Sequence, residues 1–362
     1  MFRFTQSGDE NPTREIESPC AAFDGYATVN AMRMQHHLFT ASILAVCFAS
    51  PVLATSPLAN ADHLHVAFVT TTGPAEPGDT TFYAVGQKQF GVGRLASIVD
   101  IDGEQVTFEV LVSLEYTDGS GPFTGFVSLF WPNGDAVACR YEGVVVRDDA
   151  GNSRWNSILH VIDGSGSLTG TTGGGTLSGF RSAALGGSVE YTVDLTIHRK
   201  TGNGEQGSGS PESANGGSSG IALGNPGDIA VDVVLSGAPQ DQRLRNVGFD
   251  ASIRYGIFRI AGTAGGPTPV QVSALGTLGY RMGSGPFAGF LVLDYGGGHV
   301  LYCRYEGHTT QLSVDSTRIL GRLDVIAGTG MFDRAQGEGR VRARRGGPVG
   351  STQLTSIRLR LR

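Results

Sequence analysis

The residues of this chain best suited to chemistry are arginine–glutamate pairs that occur twice. Arg140 and Glu142 alternate along one predicted strand and so share a face, and Arg304 and Glu306 repeat the arrangement. On a strand that lines a cavity, such a pair could hold a carbonyl or carboxylate group and act as general acid or base. On an outward face it would be a surface ion pair contributing about 0–1 kcal/mol. The sequence leaves both alternatives open.

Two tyrosines are further candidates, because Tyr116 and Tyr280 each end a predicted strand just before the segment GSGPF. A tyrosine at a barrel mouth can stack on a ligand or donate a hydrogen bond to it, or it can fill the barrel end as a rim aromatic. The GSGPF segment itself is predicted to be a structural turn. The candidate ligand-binding residues are therefore Tyr116, Arg140, Glu142, Tyr280, Arg304 and Glu306.

The sequence contains none of the familiar short motifs of hydrolases or metal sites. His-Glu-x-x-His and Cys-x-x-Cys are missing, and no Gly-x-Ser-x-Gly elbow joins a predicted strand to a helix. We therefore assign no catalytic residue and expect neither a metal nor an organic cofactor. Cys139 and Cys303 occupy matching positions beside apolar residues of the same strand face. Buried thiols are expected there, with a disulfide between the two as the alternative.

The predicted strands that carry these residues occur in two copies in the chain. Residues 116–143 align without gaps with residues 280–307, and 15 of the 28 positions are identical. The same offset of 164 relates residues 161–168 to residues 325–332. A repeat of this length indicates two copies of one folding unit.

Both units are rich in short apolar runs separated by Gly, Pro or Asp, without a helical 3.6-residue period. Eight antiparallel strands in each unit fit a closed barrel or a sandwich. We favour the barrel, because closure removes exposed edges and leaves an interior for side chains or one small ligand. The predicted fold is therefore all-β, with two tandem eight-stranded antiparallel β-barrels. In the second unit the runs are 229–236, 251–261, 269–281, 287–295, 300–309, 318–328, 337–345 and 353–362.

The front of the chain carries a predicted secretory signal. An apolar run of 17 residues, 38–54, is preceded by a basic residue and followed by a small-x-small site, which predicts cleavage after Ala61. Translation would then start at Met32 or Met34. We expect a secreted or periplasmic protein without an integral membrane span; a retained N-terminal anchor is the alternative.

The mature chain divides into two units of opposite charge. A Gly- and Ser-rich linker, 201–220, separates the predicted units 62–200 and 221–362. Residues 62–218 carry 18 acidic and 8 basic side chains, whereas residues 219–362 carry 10 acidic and 16 basic side chains, all of them Arg. This split predicts that the two units dock on each other, and an anionic partner for the basic unit is the alternative.

Arginines alternate with apolar residues in the last two predicted strands. Arg340, Arg342 and Arg344 share one face of their strand, opposite Val341 and Ala343. Such a face could bind phosphate-rich or sulfated polymers, because the Arg fork matches those groups. It could equally be a solvated surface or the dock for the acidic unit.

The turn motifs resemble the allene oxide cyclase and dirigent barrel superfamily. GSGPFxGF is followed by CRYEG and then by a Gly-Thr-Gly-x-Phe turn that re-enters as a Gly-x-Gly strand. The resemblance implies an eight-stranded antiparallel barrel whose apolar lumen binds a small hydrophobic molecule and steers its cyclisation or coupling. The turn residues are Gly328, Thr329, Gly330, Phe332, Gly337 and Gly339, and in the first unit Gly164, Ser165, Gly166, Leu168, Gly173 and Gly175.

Three functions follow from these observations as hypotheses. The first is a binding protein that holds a small hydrophobic molecule or a glycan fragment in each lumen, with no nucleic-acid partner. The second is a cyclase or isomerase that works without a metal or organic cofactor. The third is a non-catalytic surface interaction protein whose barrels are filled by their own side chains. One fold hosts many functions, so the site must decide among them.

Overall fold

The computed structural model describes residues 63–199 and 228–362, apart from residues 183, 239, 240 and 267. Strands joined by turns and short 3-10 segments make up these residues, and they contain no α-helix. The predicted all-β class is thereby confirmed. The predicted signal segment, its cleavage after Ala61 and the linker 201–220 lie outside the described residues, so these expectations stay predictions.

The strands form two antiparallel sheets of nine. The first sheet comprises β1 (His63–Thr72), β2 (Thr80–Val85), β3 (Lys88–Ile101), β4 (Glu104–Thr117), β5 (Gly121–Phe130), β6 (Ala136–Arg147), β7 (Ser153–Ser165), β8 (Thr172–Arg181) and β9 (Val189–His198). The second comprises β10 (Asp228–Leu235), β11 (Arg243–Val247), β12 (Ile253–Ala264), β13 (Val270–Arg281), β14 (Gly285–Asp294), β15 (Val300–Ser313), β16 (Ser316–Gly328), β17 (Gly337–Arg345) and β18 (Gln353–Leu361).

Each sheet curls until its first strand meets its third. β1 pairs with β9, β2 pairs with β3, and Gly73 bridges to Ala96 of β3 through hydrogen bonds of 3.0 and 3.4 Å. β1 and β2 therefore lie one after the other along the same edge of β3. Pro74 and Pro77 lie between them and cannot donate to a ladder. β1 and β2 are thus two halves of one interrupted strand, so the nine strands occupy eight positions in the sheet.

The second sheet repeats this plan. Ser236, after β10, bridges to Ala261 of β12 through hydrogen bonds of 2.8 and 2.9 Å, and β11 continues along the same edge. Two tandem curled sheets are the architecture expected of a tandem β-barrel chain.

Side chains alternate between the interior and the surface along the strands. In β9 the residues Val189, Tyr191 and Val193 are buried, while Glu190 and Thr192 between them are exposed. Each sheet thus encloses an apolar core of its own. The two copies of the repeat keep separate interiors, as the sequence predicts.

A third apolar cluster lies between the two sheets. Phe90 and Leu111 of the first sheet pack there with Tyr255, Leu275 and Phe290 of the second. The ring centroids of Phe90 and Phe290 are 5.2 Å apart. β3 is consequently buried on both faces near Phe90, which strand alternation alone does not predict.

The GSGPF segments are structural, as predicted. Gly121 and Gly285 adopt φ values of 154° and 155°, which L side chains rarely adopt. A Cβ atom at Gly121 would also lie 2.2 Å from the backbone carbonyl oxygen of Glu115. Phe123 and Phe287 follow directly and are each 5% exposed, so they anchor the turn in the core.

Candidate functional site

The first Arg–Glu pair lies on the outer surface of its sheet. The side chains of Arg140 and Glu142 are 55% and 71% exposed, and Nη2 of Arg140 lies 3.4 Å from Oε2 of Glu142. Cys139 and Tyr141, on the other face of β6, point into the core. Of the two alternatives left open by the sequence, the structure shows the surface ion pair.

The second pair is also outward, but its arginine has other partners. Arg304 donates to Glu115 of the first sheet at 3.2 Å and lies 3.8 Å from Asp324. Glu306 is exposed to solvent. The recurrence of the sequence RYE therefore places a buried tyrosine between two surface charges in both copies.

The two candidate tyrosines lie in the interior instead. Tyr116 is 3% exposed and Tyr280 is 5% exposed. Burial raises the pKa of Tyr116 to about 12, although Arg181 nearby opposes this shift. The hydroxyl of Tyr280 forms a 2.8 Å hydrogen bond with the hydroxyl of Thr309. The structure thus separates the six predicted site residues into an inner and an outer set.

The interiors of the two barrels are filled by their own side chains. A cavity of about 30 Å³ remains at one end of the first barrel, and one of about 40 Å³ at the equivalent end of the second. Small-molecule sites are typically about 300 Å³ or larger, so these spaces hold a few water molecules or an ion. The residues that fill the first barrel around this cavity include Phe123, Tyr141, Trp155 and Tyr191.

Two buried arginines at these ends were missed by the sequence reasoning. Arg181 lies opposite Ser153 in the β7–β8 ladder, and Arg345 lies opposite Thr317 in the equivalent ladder of the second sheet. Both are 7% exposed. The repeat offset of 164 relates Arg181 to Arg345, so extending the alignment into β8 and β17 would have identified the pair.

The two cysteines are buried thiols and form no disulfide with each other. Burial raises the pKa of each thiol to about 12. The thiolate, which is the nucleophile and metal ligand, is therefore scarce at neutral pH. Cys139 and Cys303 act as small core residues.

The contact between the sheets carries a buried cluster of charges. Glu109 is 1% exposed and accepts hydrogen bonds from Arg94 at 2.6 Å and from Arg245 of the second sheet at 2.7 Å. Asp79 is fully buried and lies 3.1 Å from Arg94 and 3.0 Å from Arg243 of the second sheet. In the pairs that join the sheets, the first sheet supplies the carboxylates and the second supplies the arginines, as the charge difference between the units predicts.

The same surroundings stabilise the ionised form of Asp79. Burial alone would raise the pKa of this carboxyl group. The backbone amide of Glu76 and the guanidinium groups of Arg243 and Arg94 outweigh burial and hold the pKa below its usual 3.8.

Seven arginines lie on the outer surface of three adjacent strands of the second sheet. One of them, Arg360, pairs with Asp228. We call the surface formed by the other six the arginine face. Three residues, Arg322, Arg340 and Arg358, follow one another across the ladders from β16 to β18. Arg318 lies directly opposite Arg344. The members of the arginine face are Arg318, Arg322, Arg340, Arg342, Arg344 and Arg358.

Only two members of the arginine face have a carboxylate partner among the described residues. Arg322 pairs with Asp324 at 2.9 Å, and Arg358 pairs with Asp232 at 3.0 Å. The other four are exposed and form neither an ion pair nor a side-chain hydrogen bond within the described part of the chain. Like charges directly opposite each other destabilise a sheet. The directly opposed Arg318 and Arg344 therefore carry a repulsive cost that no ion pair among the described residues offsets.

The first barrel shows that the fold does not require arginines at five of these six positions. The ladders of β7, β8 and β9 have the same register as those of β16, β17 and β18, shifted by 164 residues. The first sheet therefore provides an internal comparison for the arginine face. Its equivalent residues, in the same order, are Arg154, Ile158, Thr176, Ser178, Phe180 and Asp194.

No protein-family model, curated protein or solved structure matches this chain. The comparisons show no family membership, and the architecture of two curled antiparallel sheets rests on the structure. In the described part of the chain, no helix has the length and apolar character needed to span a membrane. Nor do the described residues group three His, Cys, Asp or Glu side chains that could hold a metal ion.

Proposed function

We propose that this chain is a non-catalytic binding protein that holds an anionic polysaccharide on the arginine face of its second barrel. The observation that carries the proposal is the group of exposed arginines without a partner among the described residues, Arg318, Arg340, Arg342 and Arg344. Docking of the two barrels uses a different set, which includes Arg243 and Arg245. No member of the arginine face belongs to the described ion pairs between the barrels, so docking and ligand binding would use different arginines.

The geometry of the face suits a linear polymer. Successive arginines of β17 on one side of the strand are about 6.8 Å apart, the repeat of two residues in an antiparallel strand. A shallow groove of about 860 Å³ crosses the surface and is lined by Arg318, Arg342 and Arg344. Each guanidinium can donate two parallel hydrogen bonds to a sulfate, phosphate or carboxylate group, so several anionic groups could be held in a row.

The surroundings of the arginines favour a polysaccharide over a nucleic acid. Proteins that bind single-stranded nucleic acids usually stack the bases on aromatic side chains. The exposed large apolar residues on this face are Leu320 and Leu354, and the described residues add no exposed aromatic ring there. A polymer that presents anionic groups without flat bases fits this surface best.

The filled interiors argue for surface binding rather than lumen binding. A hydrophobic ligand or a cyclase substrate would need space that the cavities of about 30 and 40 Å³ do not provide without repacking of the core. In the same proposal, the chain is exported and acts on extracellular or periplasmic glycans. We also propose a distant relation to the allene oxide cyclase and dirigent barrels, supported by the tandem curled sheets and the shared turns.

Titration of the protein with dextran sulfate, and with neutral dextran as the uncharged control, tests the function. We expect binding to dextran sulfate alone. The double variant Arg340→Thr/Arg342→Ser introduces the residues that the first barrel has at these positions, so the fold should be kept. It should weaken binding at least tenfold near about 100 mM salt, and the log–log salt slope should fall by about one to two.

The matched control is Arg154→Thr/Arg281→Thr, which removes the same charge from exposed positions elsewhere. It should leave the affinity within about twofold, since binding depends on the face rather than on net charge. Equal losses in the two double variants would overturn the proposal. So would equally tight binding of single-stranded DNA, or a hydrophobic small molecule in native mass spectra of the purified protein.

A further inference from the structure

Arg181 is a buried positive charge with few partners. Its guanidinium donates one hydrogen bond, from Nη2 to the hydroxyl of Ser153 at 3.2 Å, and lies 5.9 Å from the ring centroid of Tyr116. Its Nε atom is shielded from solvent and has no hydrogen-bond partner among the described residues. Arginine stays charged at any pH a protein tolerates, so this charge is retained in the folded state. Buried charges in proteins are usually paired with an opposite charge, because an unpaired charge is costly to bury.

The charge borders the small cavity at the end of the first barrel. Tyr116, Trp155, Tyr191 and Leu185 line this cavity of about 30 Å³ together with Arg181. No carboxylate of the described residues lies within ion-pair distance of the Arg181 guanidinium. The described lining residues are aromatic, aliphatic and glycine, and Arg181 is the only charged one among them. Such a space has room for one small ion and supplies a positive charge to hold it.

The equivalent arginine of the second barrel, Arg345, has a hydrogen-bond acceptor for its Nε atom, which Arg181 lacks among the described residues. Nε of Arg345 donates to the backbone carbonyl oxygen of Gly347 at 3.1 Å. Its cavity contains the polar side chains of Gln353 and Thr355. At the same positions the first barrel has Val189 and Tyr191. The repeat therefore holds one arginine whose Nε is satisfied by the protein and one whose Nε is not.

We propose that the end of the first barrel binds a small monovalent anion of chloride size against the Arg181 guanidinium. The anion would accept a hydrogen bond from Nε and neutralise the buried charge in a space too small for sulfate or a sugar. This site is separate from the arginine face. It would be a structural ion site that stabilises the first barrel.

Chloride-dependent unfolding tests the site at constant ionic strength, with gluconate as the bulky replacement anion. An anion that binds only the folded state lowers the unfolding equilibrium constant about tenfold when its concentration is ten times its dissociation constant. We expect this effect in the parent protein. Arg181→Met keeps the aliphatic stem but removes the charge, so it should abolish the chloride dependence.

Arg345→Met is the matched control and should retain the chloride dependence, as should Arg340→Thr/Arg342→Ser on the arginine face. Crystals of the parent protein soaked in bromide give a second readout if Arg181→Met fails to fold. An anomalous peak within hydrogen-bond distance of Arg181 Nε is expected. Equal stability in chloride and gluconate, or no bromide peak beside Arg181, would overturn the proposal.

Discussion

Glu109 shows how single residues connect the two barrels. It is buried between Arg94 of its own sheet and Arg245 of the other sheet, and both arginines donate to its carboxylate. Replacing a buried ion pair by apolar groups can be harmless, but removing one partner leaves an uncompensated charge. The contact is therefore sensitive to the loss of one carboxylate, because two guanidinium groups depend on it.

We expect Glu109→Gln to lower the free energy of unfolding by about 3 kcal/mol, because Arg94 and Arg245 lose their shared counterion. Urea denaturation followed by tryptophan fluorescence measures the change. Glu115→Gln is the control: Glu115 pairs across the same contact with Arg304, but that arginine is 46% exposed. Glu115→Gln should lower the free energy of unfolding by about 1 kcal/mol or less. A similar decrease in the free energy of unfolding in the two variants would show that the burial of Glu109 does not make its ion pairs more stabilising.

At the scale of the strands, close backbone packing explains much of the identity between the repeats. Gly125 and Gly289 are the third glycine of GSGPFxGF in each copy. A Cβ atom at Gly125 would lie 1.9 Å from the backbone carbonyl oxygen of Leu111, and at Gly289 it would lie 2.1 Å from that of Leu275. The central strands β4–β5 and β13–β14 can approach this closely only where the side chain is absent.

Gly125→Ala should therefore destabilise the first barrel by more than about 3 kcal/mol, because backbone must move to admit the methyl group. Thermal and urea denaturation measure the loss, and failure to fold would be the extreme of the same result. Gly265→Ala is the control, since a Cβ atom there meets no atom within 4 Å. It should change stability by about 0.5 kcal/mol or less. A tolerated Gly125→Ala would contradict the steric explanation.

At the scale of the whole molecule, the two barrels are joined by an apolar cluster with charged groups beside it. Phe90 is fully buried and its ring packs against Phe290 and Tyr302, at centroid distances of 5.2 and 5.3 Å. The hydroxyls of Ser128 and Tyr255 add a hydrogen bond of 2.8 Å across the contact. The two barrels should therefore unfold as one cooperative unit.

Phe90→Ala should cost about 3–5 kcal/mol by opening a cavity in this cluster. Because the cavity lies between the barrels, calorimetry should resolve two unfolding transitions where the parent protein shows one. Phe249→Ala removes a ring that is 68% exposed and should leave the single transition unchanged. A lower but still single transition for Phe90→Ala would show that the barrels remain coupled without this ring.

The sequence predicts the strand class, the duplication and most of the inward residues without any three-dimensional information. Alternation in β9 and β17, together with the repeat offset of 164, was sufficient for these features, because side-chain period and turn chemistry are local. It also gave the charge difference between the halves. These predictions needed no knowledge of which strands meet in space.

The direction of the Arg–Glu pairs, the filling of the lumens and the role of each arginine could be established only from the folded arrangement of the strands. Both faces of the strand around Arg140 carry polar and apolar residues, so alternation could not say which face is inside. The lumen volume depends on side chains from eight strand positions meeting in one place. The partners of Arg245 and the isolation of Arg181 likewise depend on residues far apart in the chain. Packing and pairing across such distances are properties of the folded chain, and local sequence does not carry them.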